Sequence, residues 1–168
     1  MNQFPVESGI ILKFGKGVVF EELDKGRAKG ATGLKLVDFV FKHKGKNIFL
    51  EVKALPSEKP ADDSSKERHK FFLESVKNAT LAHNSLVPKC RGSYLFLHLM
   101  EEINEDPIGY VILLEPFDSA DLLRIRDRVA LLLKKETQVE WKKRYAILLG
   151  VFNKRTLNYF LSETLTVA

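Results

Sequence analysis

Residues 34–55, with the sequence LKLVDFVFKHKGKNIFLEVKAL, decide the fold of this 168-residue chain. Two runs rich in Val, Ile, Phe and Leu, residues 34–43 and 47–55, flank Lys44-Gly45-Lys46, which is typical of a β-hairpin. Side chains alternate between the two faces of a strand, so each strand has one wholly apolar row. If both rows face one core, the loop between the strands has an even length.

Three charged side chains share the opposite face of this hairpin. A turn at Lys44-Gly45 pairs Asp38 with Glu51, and a turn at Gly45-Lys46 pairs Asp38 with Lys53. Neighbouring carboxylates repel when both are ionised, and a hard divalent cation such as Mg²⁺ relieves that repulsion. Such a cation also lowers the pKa of a water and neutralises phosphate charge, while a lysine can stabilise developing charge. The face predicts a metal-dependent phosphodiester hydrolase, and the alternative is a surface network of ion pairs.

The spacing Asp38-x12-Glu51-Val52-Lys53, placed across a hairpin, resembles the PD-(D/E)XK nuclease superfamily. Within it, the stretch is most similar to Holliday junction resolvases of the archaeal and RecU-like types, and a looser likeness extends over residues 31–117. The resemblance implies a restriction-endonuclease-like core, with a central mixed β-sheet flanked by helices. It also implies that Asp38 and Glu51 bind Mg²⁺ or Mn²⁺, that the backbone carbonyl of Val52 is a further ligand, and that Lys53 is catalytic.

Two further candidates come from the same resemblance. The family often adds a Glu from its first helix, and Glu7, Glu21 and Glu22 compete for that role, with Glu21 preferred as a metal ligand. The alternative is that all three are ordinary surface residues. The turn at 30–33 holds Thr32 where resolvases often place a Ser or Thr near the phosphate. Turn chemistry explains Thr32 equally well.

The rest of the chain predicts a mixed α/β (α+β) arrangement in a single domain, residues 1–168. The nuclease-like core covers about 17–117, and a helix–strand–helix extension covers 118–168. Residues 4–30 form either a helix ending near Gly26 or a hairpin across Gly15–Gly17. The remaining predicted elements are a helix over about 65–83 opened by a Ser64-x-x-Glu67 capping box, strands at 94–100, 109–115 and 145–152, and helices capped by Asp118 and Asn153.

Positive charge is concentrated in the first part of the chain. The net charge is +5, with 17 Lys or Arg against 11 Asp or Glu in the first hundred residues, and 10 against 11 in the last 68. On the predicted helix 65–83, Lys66, Lys70 and Lys77 fall on one side at 100° per residue. We expect this side to hold DNA phosphates, which would give salt-dependent affinity. The alternative is an ordinary solvated face.

Composition excludes several classes of protein. A single cysteine excludes a disulfide framework, and with only four histidines it excludes a zinc-finger-type site. No apolar run approaches the roughly 18–20 residues that span a bilayer, so no membrane partner is expected. The first residues do not resemble a secretory signal, which predicts a cytoplasmic protein.

The function predicted from these observations is a Mg²⁺-dependent DNA endonuclease acting on branched DNA such as Holliday junctions. One alternative is a restriction, repair or phage-defence nuclease that cuts duplex DNA. The other is a catalytically inactive DNA-binding protein that keeps the nuclease fold. Because a junction offers two strands to cut together, a resolvase is expected to be a C2 homodimer.

Overall fold

A computed structural model describes residues 2–26, 33–55, 62–103, 108–135 and 147–168. Over these residues the strands are β1 (Asn2–Pro5), β2 (Ile11–Phe14), β3 (Phe20–Glu22), β4 (Phe39–His43), β5 (Lys46–Ala54), β6 (Ile108–Glu115), β7 (Ile147–Phe152) and β8 (Leu165–Val167). The α-helices are α1 (Asp63–Lys77), α2 (Val87–Leu99), α3 (Ser119–Lys135) and α4 (Lys154–Leu161). A 3₁₀ turn occupies Glu7–Gly9, and a π-helical turn, Ala82–Leu86, leads into α2.

Strands β3 to β7 form a mixed sheet in the order β3-β4-β5-β6-β7. β4 is antiparallel to β3 and β5, whereas β6 is parallel to β5 and β7. The predicted hairpin is confirmed, and its register, Phe39 opposite Leu50, follows from a two-residue turn at Lys44 and Gly45. Both turn residues have positive φ, 49° and 78°, which matches the twist of the flanking strands. The mixed α/β class is therefore confirmed.

The two faces of this sheet carry separate hydrophobic cores. On one face, Phe49 of β5 and Tyr110 of β6 pack among residues of α1, α2 and α3. On the other face, Leu50 of β5 packs against α4 and a small antiparallel sheet in the order β1-β2-β8. Helices α1, α2 and α3 therefore flank the central sheet on one side. The small sheet and α4 together cover the other side.

The prediction for residues 4–30 is wrong in both of its forms. β2 pairs with β1 and β8, whereas β3 pairs with β4, so the strands on either side of Gly15–Gly17 belong to different sheets and form no hairpin. Residues 23–26 form turns rather than the end of a helix. Phe14 and Phe20 instead stack on each other within the core between the sheets, with ring centroids 4.0 Å apart. β2 and β3 therefore meet through side-chain packing rather than through hydrogen-bonded strand pairing.

The predicted single helix over 65–83 is divided in two. Its cap is Asp62 rather than Ser64, because the Asp62 carboxylate accepts a hydrogen bond from the backbone of the first turn. After α1 ends, the side chain of Asn78 accepts two hydrogen bonds from Thr80, at the start of the next helical segment. An Asn that caps the following segment competes with continuation of the first helix.

The predicted strand at 94–100 is wrong, because these residues lie in and just after α2. A short apolar run fits a buried strand and a buried helix equally well. In α2 the buried positions Cys90, Ser93 and Leu97 recur at helical spacing. The later elements are confirmed as β6, α3, β7 and α4, and Asp118 and Asn153 accept the expected capping hydrogen bonds. β8 follows α4 and was not predicted.

Helix α2 lies close to the backbone that leads into β4. Ser93 Oγ accepts a hydrogen bond of 2.8 Å from the backbone N–H of Val37. At Gly92, an added Cβ would overlap the backbone carbonyl of Lys35, so only a glycine permits this approach. Tyr110 donates a hydrogen bond of 2.8 Å to the carbonyl of Leu86 and holds the start of the helix against β6.

We predict that Gly92→Ala destabilises the protein by about 2 kcal/mol or more, because backbone cannot yield to the new methyl group. Helix propensity alone would favour the alanine by up to about 1 kcal/mol, so the sign of the change distinguishes the two effects. Thermal unfolding should show a Tm lowered by roughly 4–8 °C. Leu95→Ala on the exposed face of the same helix is the control and should change stability by only about 0.5 kcal/mol. An unchanged or raised Tm for Gly92→Ala contradicts the close approach.

Candidate active site

The hairpin residues predicted to share a face converge where β5 extends beyond β4. Strand pairing begins at Phe39 opposite Leu50, so the next residues of β5, from Glu51 onward, have no β4 partner. Asp38 occupies this edge, and its Oδ2 accepts a hydrogen bond of 2.7 Å from the backbone N–H of Val52. Glu51 and Lys53 lie on one face of β5, with Lys53 Nζ 2.9 Å from Glu51 Oε1. The structure therefore brings Asp38, Glu51 and Lys53 together.

A second lysine, which the sequence reasoning missed, joins the two carboxylates. Lys89 of α2 places its Nζ 3.2 Å from Asp38 Oδ1, 2.8 Å from Glu51 Oε1 and 2.9 Å from Glu51 Oε2. The Lys89 side chain is 15 % exposed and that of Lys53 is 18 % exposed. Both ammonium groups thus lie at the wall of the site rather than on the outer surface.

Glu51 is the most unusual group of this cluster because its side chain has no exposed surface. Burial, and after it the neighbouring Asp38 carboxylate, raise its pKa, and Lys53 and Lys89 only partly oppose them, so that the resulting pKa is about 7. Glu51 Oε1 is in ionic contact with both lysines, but neither contact has the geometry of a hydrogen bond. A buried carboxylate with one oxygen that accepts no hydrogen bond would be stabilised further by a bound cation.

The pKa of Lys89 moves in the direction expected for a bridging ammonium. Burial alone would lower this pKa, but the charges of Glu51 and Asp38 outweigh burial and raise it. The two shifts are compatible, since Lys89 gains two carboxylate neighbours whereas Glu51 is fully dehydrated beside another acid. Lys89 therefore remains an ammonium group across the pH range in which Glu51 titrates.

A narrow cleft of about 40 Å³ opens beside Asp38, with room for a small ion or a few water molecules. Glu22 and Asp24 line it together with Asp38, Val52 and Lys89. Asp24 Oδ1 is buried without a hydrogen-bond partner. Burial and the nearby Asp38 carboxylate raise the pKa of Asp24, and lysine charges only partly oppose them.

The other predicted ligands differ in where they lie. Glu21 of β3 pairs with Val40 of β4 and does not line the cleft, whereas its neighbour Glu22 does. The backbone of Val52 meets the cleft, because the N–H and C=O of a strand residue project toward the same edge and its N–H reaches Asp38. Glu7 lies in the 3₁₀ turn before β2. Thr32 is outside the described residues.

The predicted phosphate-binding lysines lie on α1, and two of them are paired with acids of the same helix. Lys66 Nζ is 2.9 Å from Asp63, and Lys70 Nζ is 3.9 Å from Glu74. Lys77 is exposed in the last turn of the helix. The DNA-binding role of Lys66, Lys70 and Lys77 therefore remains a prediction, and acids of the same helix already compensate part of the charge of two of them.

No protein-family model, curated protein or solved structure matches this chain. Across the described ranges, no three His, Cys, Asp or Glu side chains are already arranged around one position as the ligands of a metal ion. Among the described helices, none combines the length and apolarity required to cross a bilayer.

We predict that deprotonation of Glu51 lowers the free energy of unfolding as the pH rises. Its pKa is about 7 in the folded chain and 4.5 ordinarily, so between these values the folded state keeps a proton that the unfolded state has lost. The contribution is fully present below about pH 4.5, declines up to about pH 7, and amounts to about 3 kcal/mol. Urea unfolding of wild type and Glu51→Gln in EDTA, from pH 4.5 to 8, measures it as the difference between the two profiles.

The control for this comparison is Glu67→Gln, an exposed glutamate of α1, whose profile should parallel wild type. Parallel profiles for wild type and Glu51→Gln would show that Glu51 titrates normally. Such a result would contradict the raised pKa that burial and the neighbouring Asp38 give to Glu51.

Proposed function

We propose that this chain is a divalent-cation-dependent DNA endonuclease that hydrolyses phosphodiester bonds. One observation carries the proposal: a fully buried carboxylate, Glu51, adjoins Asp38 and two lysines at the open edge of β5. Burying a carboxylate beside another acid costs stability, and an ordinary structural core does not require it. Strongly perturbed acids beside a cleft are typical of catalytic sites, and Lys89, which contacts Glu51, and Asp38 both line one.

The donor set fits Mg²⁺ or Mn²⁺, which prefer oxygen ligands. Asp38 and Glu51 would supply carboxylate oxygens, and the backbone carbonyl of Val52 would be a third donor. The unpartnered Oδ1 of Asp24 is a fourth oxygen, buried in the wall of the same cleft. When bound, such a cation would neutralise charge on a phosphate and lower the pKa of a nearby water.

The remaining steps belong to the side chains of the chain itself. Lys53 Nζ lies 2.9 Å from Glu51 Oε1, and its ammonium group would orient an attacking water or stabilise charge on a phosphate oxygen. Asp38 is fixed by the N–H of Val52, so its second oxygen keeps a constant direction toward the site. This preorganisation limits the reorganisation needed when a phosphodiester enters.

Two wider features support DNA as the substrate and a restriction-endonuclease-like core as the fold. The site lies where an antiparallel hairpin, β4-β5, adjoins a parallel pair, β5-β6, and the chain between β5 and β6 passes through α1 and α2. The excess of Lys and Arg lies in the first hundred residues, which include all of the site, and such charge attracts a polyanion. Within this proposal, branched DNA and a C2 homodimer follow from the resolvase-like spacing of Asp38, Glu51 and Lys53.

We predict that the purified protein cuts DNA in Mg²⁺ or Mn²⁺ and not in EDTA, and that Asp38→Asn and Lys53→Met each lower the rate by at least about 100-fold. Labelled four-way junctions, flaps and linear duplexes of matched sequence provide the substrates, with junctions expected to be cut fastest. Asp127→Asn on the exposed surface of α3 is the control and should cut like wild type.

Each outcome of this assay has a separate meaning. Equal cutting by Lys53→Met and wild type contradicts the mechanism. A preference for linear duplex removes the resolvase assignment but leaves the nuclease. Salt-dependent DNA binding without cutting in either metal identifies a binding protein with a nuclease-like fold and overturns the proposed activity.

We further predict that Asp24, rather than Glu21, supplies the additional carboxylate, because Asp24 lines the cleft and its Oδ1 is buried without a partner. Asp24→Asn should weaken Mn²⁺ binding about tenfold, the scale seen when one supporting group of a metal site is lost. Isothermal titration of Asp24→Asn, Glu21→Gln and Glu22→Gln against wild type measures this. A larger loss in Glu21→Gln than in Asp24→Asn contradicts the assignment.

A further inference from the structure

Lys89 already occupies the position that the two acidic residues offer to a cation. Its Nζ contacts three carboxylate oxygens, one from Asp38 and both from Glu51, at 2.8–3.2 Å. A magnesium ion would approach the same oxygens at about 2.0–2.1 Å. An ammonium group and a divalent cation cannot hold the same oxygens together, because they would overlap in space and repel each other.

The backbone beneath Lys89 is held firmly, whereas its side chain is able to move. Ser93 and Gly92 fix α2 against the segment before β4, and Tyr110 fixes the turn that precedes α2. The lysine side chain, in contrast, is a flexible four-carbon stem. Lys89 is one of the residues that line the cleft, so its ammonium group has space to leave the carboxylates while remaining beside the cleft.

We propose that Lys89 is a tethered counter-cation, which holds Asp38 and Glu51 together in the metal-free protein and leaves them when a divalent cation binds. The inference rests on the proposed metal dependence of the site and assigns a role to a residue outside the Asp38, Glu51 and Lys53 set. Lys89 is here a positioning residue, because it acts through the two carboxylates.

Two consequences follow from competition between Lys89 and the metal. The metal-free protein is stabilised, since removing one partner of a buried ion pair leaves an uncompensated charge. Metal affinity is lowered, because part of the binding free energy is used to displace the lysine. A purely structural ion pair predicts the first consequence but not the second, so metal affinity distinguishes the two roles.

The test uses Lys89→Met, which keeps the length of the side chain and removes its charge. In EDTA its Tm should fall by roughly 10 °C, and saturating Mn²⁺ should restore most of this loss. Isothermal titration with Mn²⁺ should give a dissociation constant at least tenfold lower than wild type. Arg124→Met, which removes a cation paired with Asp121 on the surface of α3, is the control and should bind Mn²⁺ like wild type. Unchanged or weaker Mn²⁺ binding by Lys89→Met, or no binding by either protein, overturns the proposal.

A second measurement uses the wild-type protein and does not depend on the folding of a variant. Acetylation of lysine amines, followed by mass spectrometry, reports how accessible each ammonium group is. Adding Mn²⁺ should raise the labelling of Lys89 severalfold and leave that of the exposed Lys42 unchanged. Labelling of Lys89 that stays constant or falls overturns the proposal. Neither readout requires DNA cleavage, so the counter-cation role can succeed or fail separately from the nuclease activity.

Discussion

The fully buried carboxylate of Glu51 constrains the structure around it. Glu51 pairs with Ile112 of β6 and its side chain is fully buried, so its charge must be compensated by neighbouring side chains rather than by solvent. Lys53 comes from the same strand, but Lys89 reaches the site only because α2 approaches the sheet closely. That approach in turn requires the small residues Gly92 and Ser93 against the segment before β4. The packing of α2 against the sheet therefore determines whether the charge of Glu51 is compensated.

The unequal lengths of β4 and β5 create the opening in which this charge cluster operates. Where β4 has not yet begun, the edge of β5 offers backbone groups that no strand satisfies, and Asp38 binds one of them. The turn after β3 brings Asp24 to the same edge, since the backbone N–H of Leu23 donates to the carbonyl of Asp38. Oxygen atoms from three segments thus meet beside two ammonium groups. This balance of charges suits a site that exchanges one cation for another.

The hairpin and its three charged residues were predictable from sequence because a strand has a period of two. Parity alone places Asp38, Glu51 and Lys53 on one face in either allowed register. Lys89 was not predictable in this way, since 38 residues separate it from Glu51 and its position depends on how α2 docks. Reading residues 94–100 as a strand also concealed the helix, although buried Cys90, Ser93 and Leu97 follow its period. Asp24 was missed because only glutamates were considered, and no local pattern places a turn residue against a distant strand edge.

The small sheet has a consequence for when the cleft is completed. Leu12 of β2 pairs with Val167 of β8, so residues more than 150 positions apart must meet before this sheet closes. Closing so long a loop is costly in chain entropy and is slow compared with local hairpins and helices. Val6, which lines the cleft, and Ser8, which donates to the carbonyl of Ala54, both belong to the segment that this closure secures. On a ribosome, the wall of the cleft would remain unfinished until β8 had emerged, which delays assembly of the site until synthesis of this region ends.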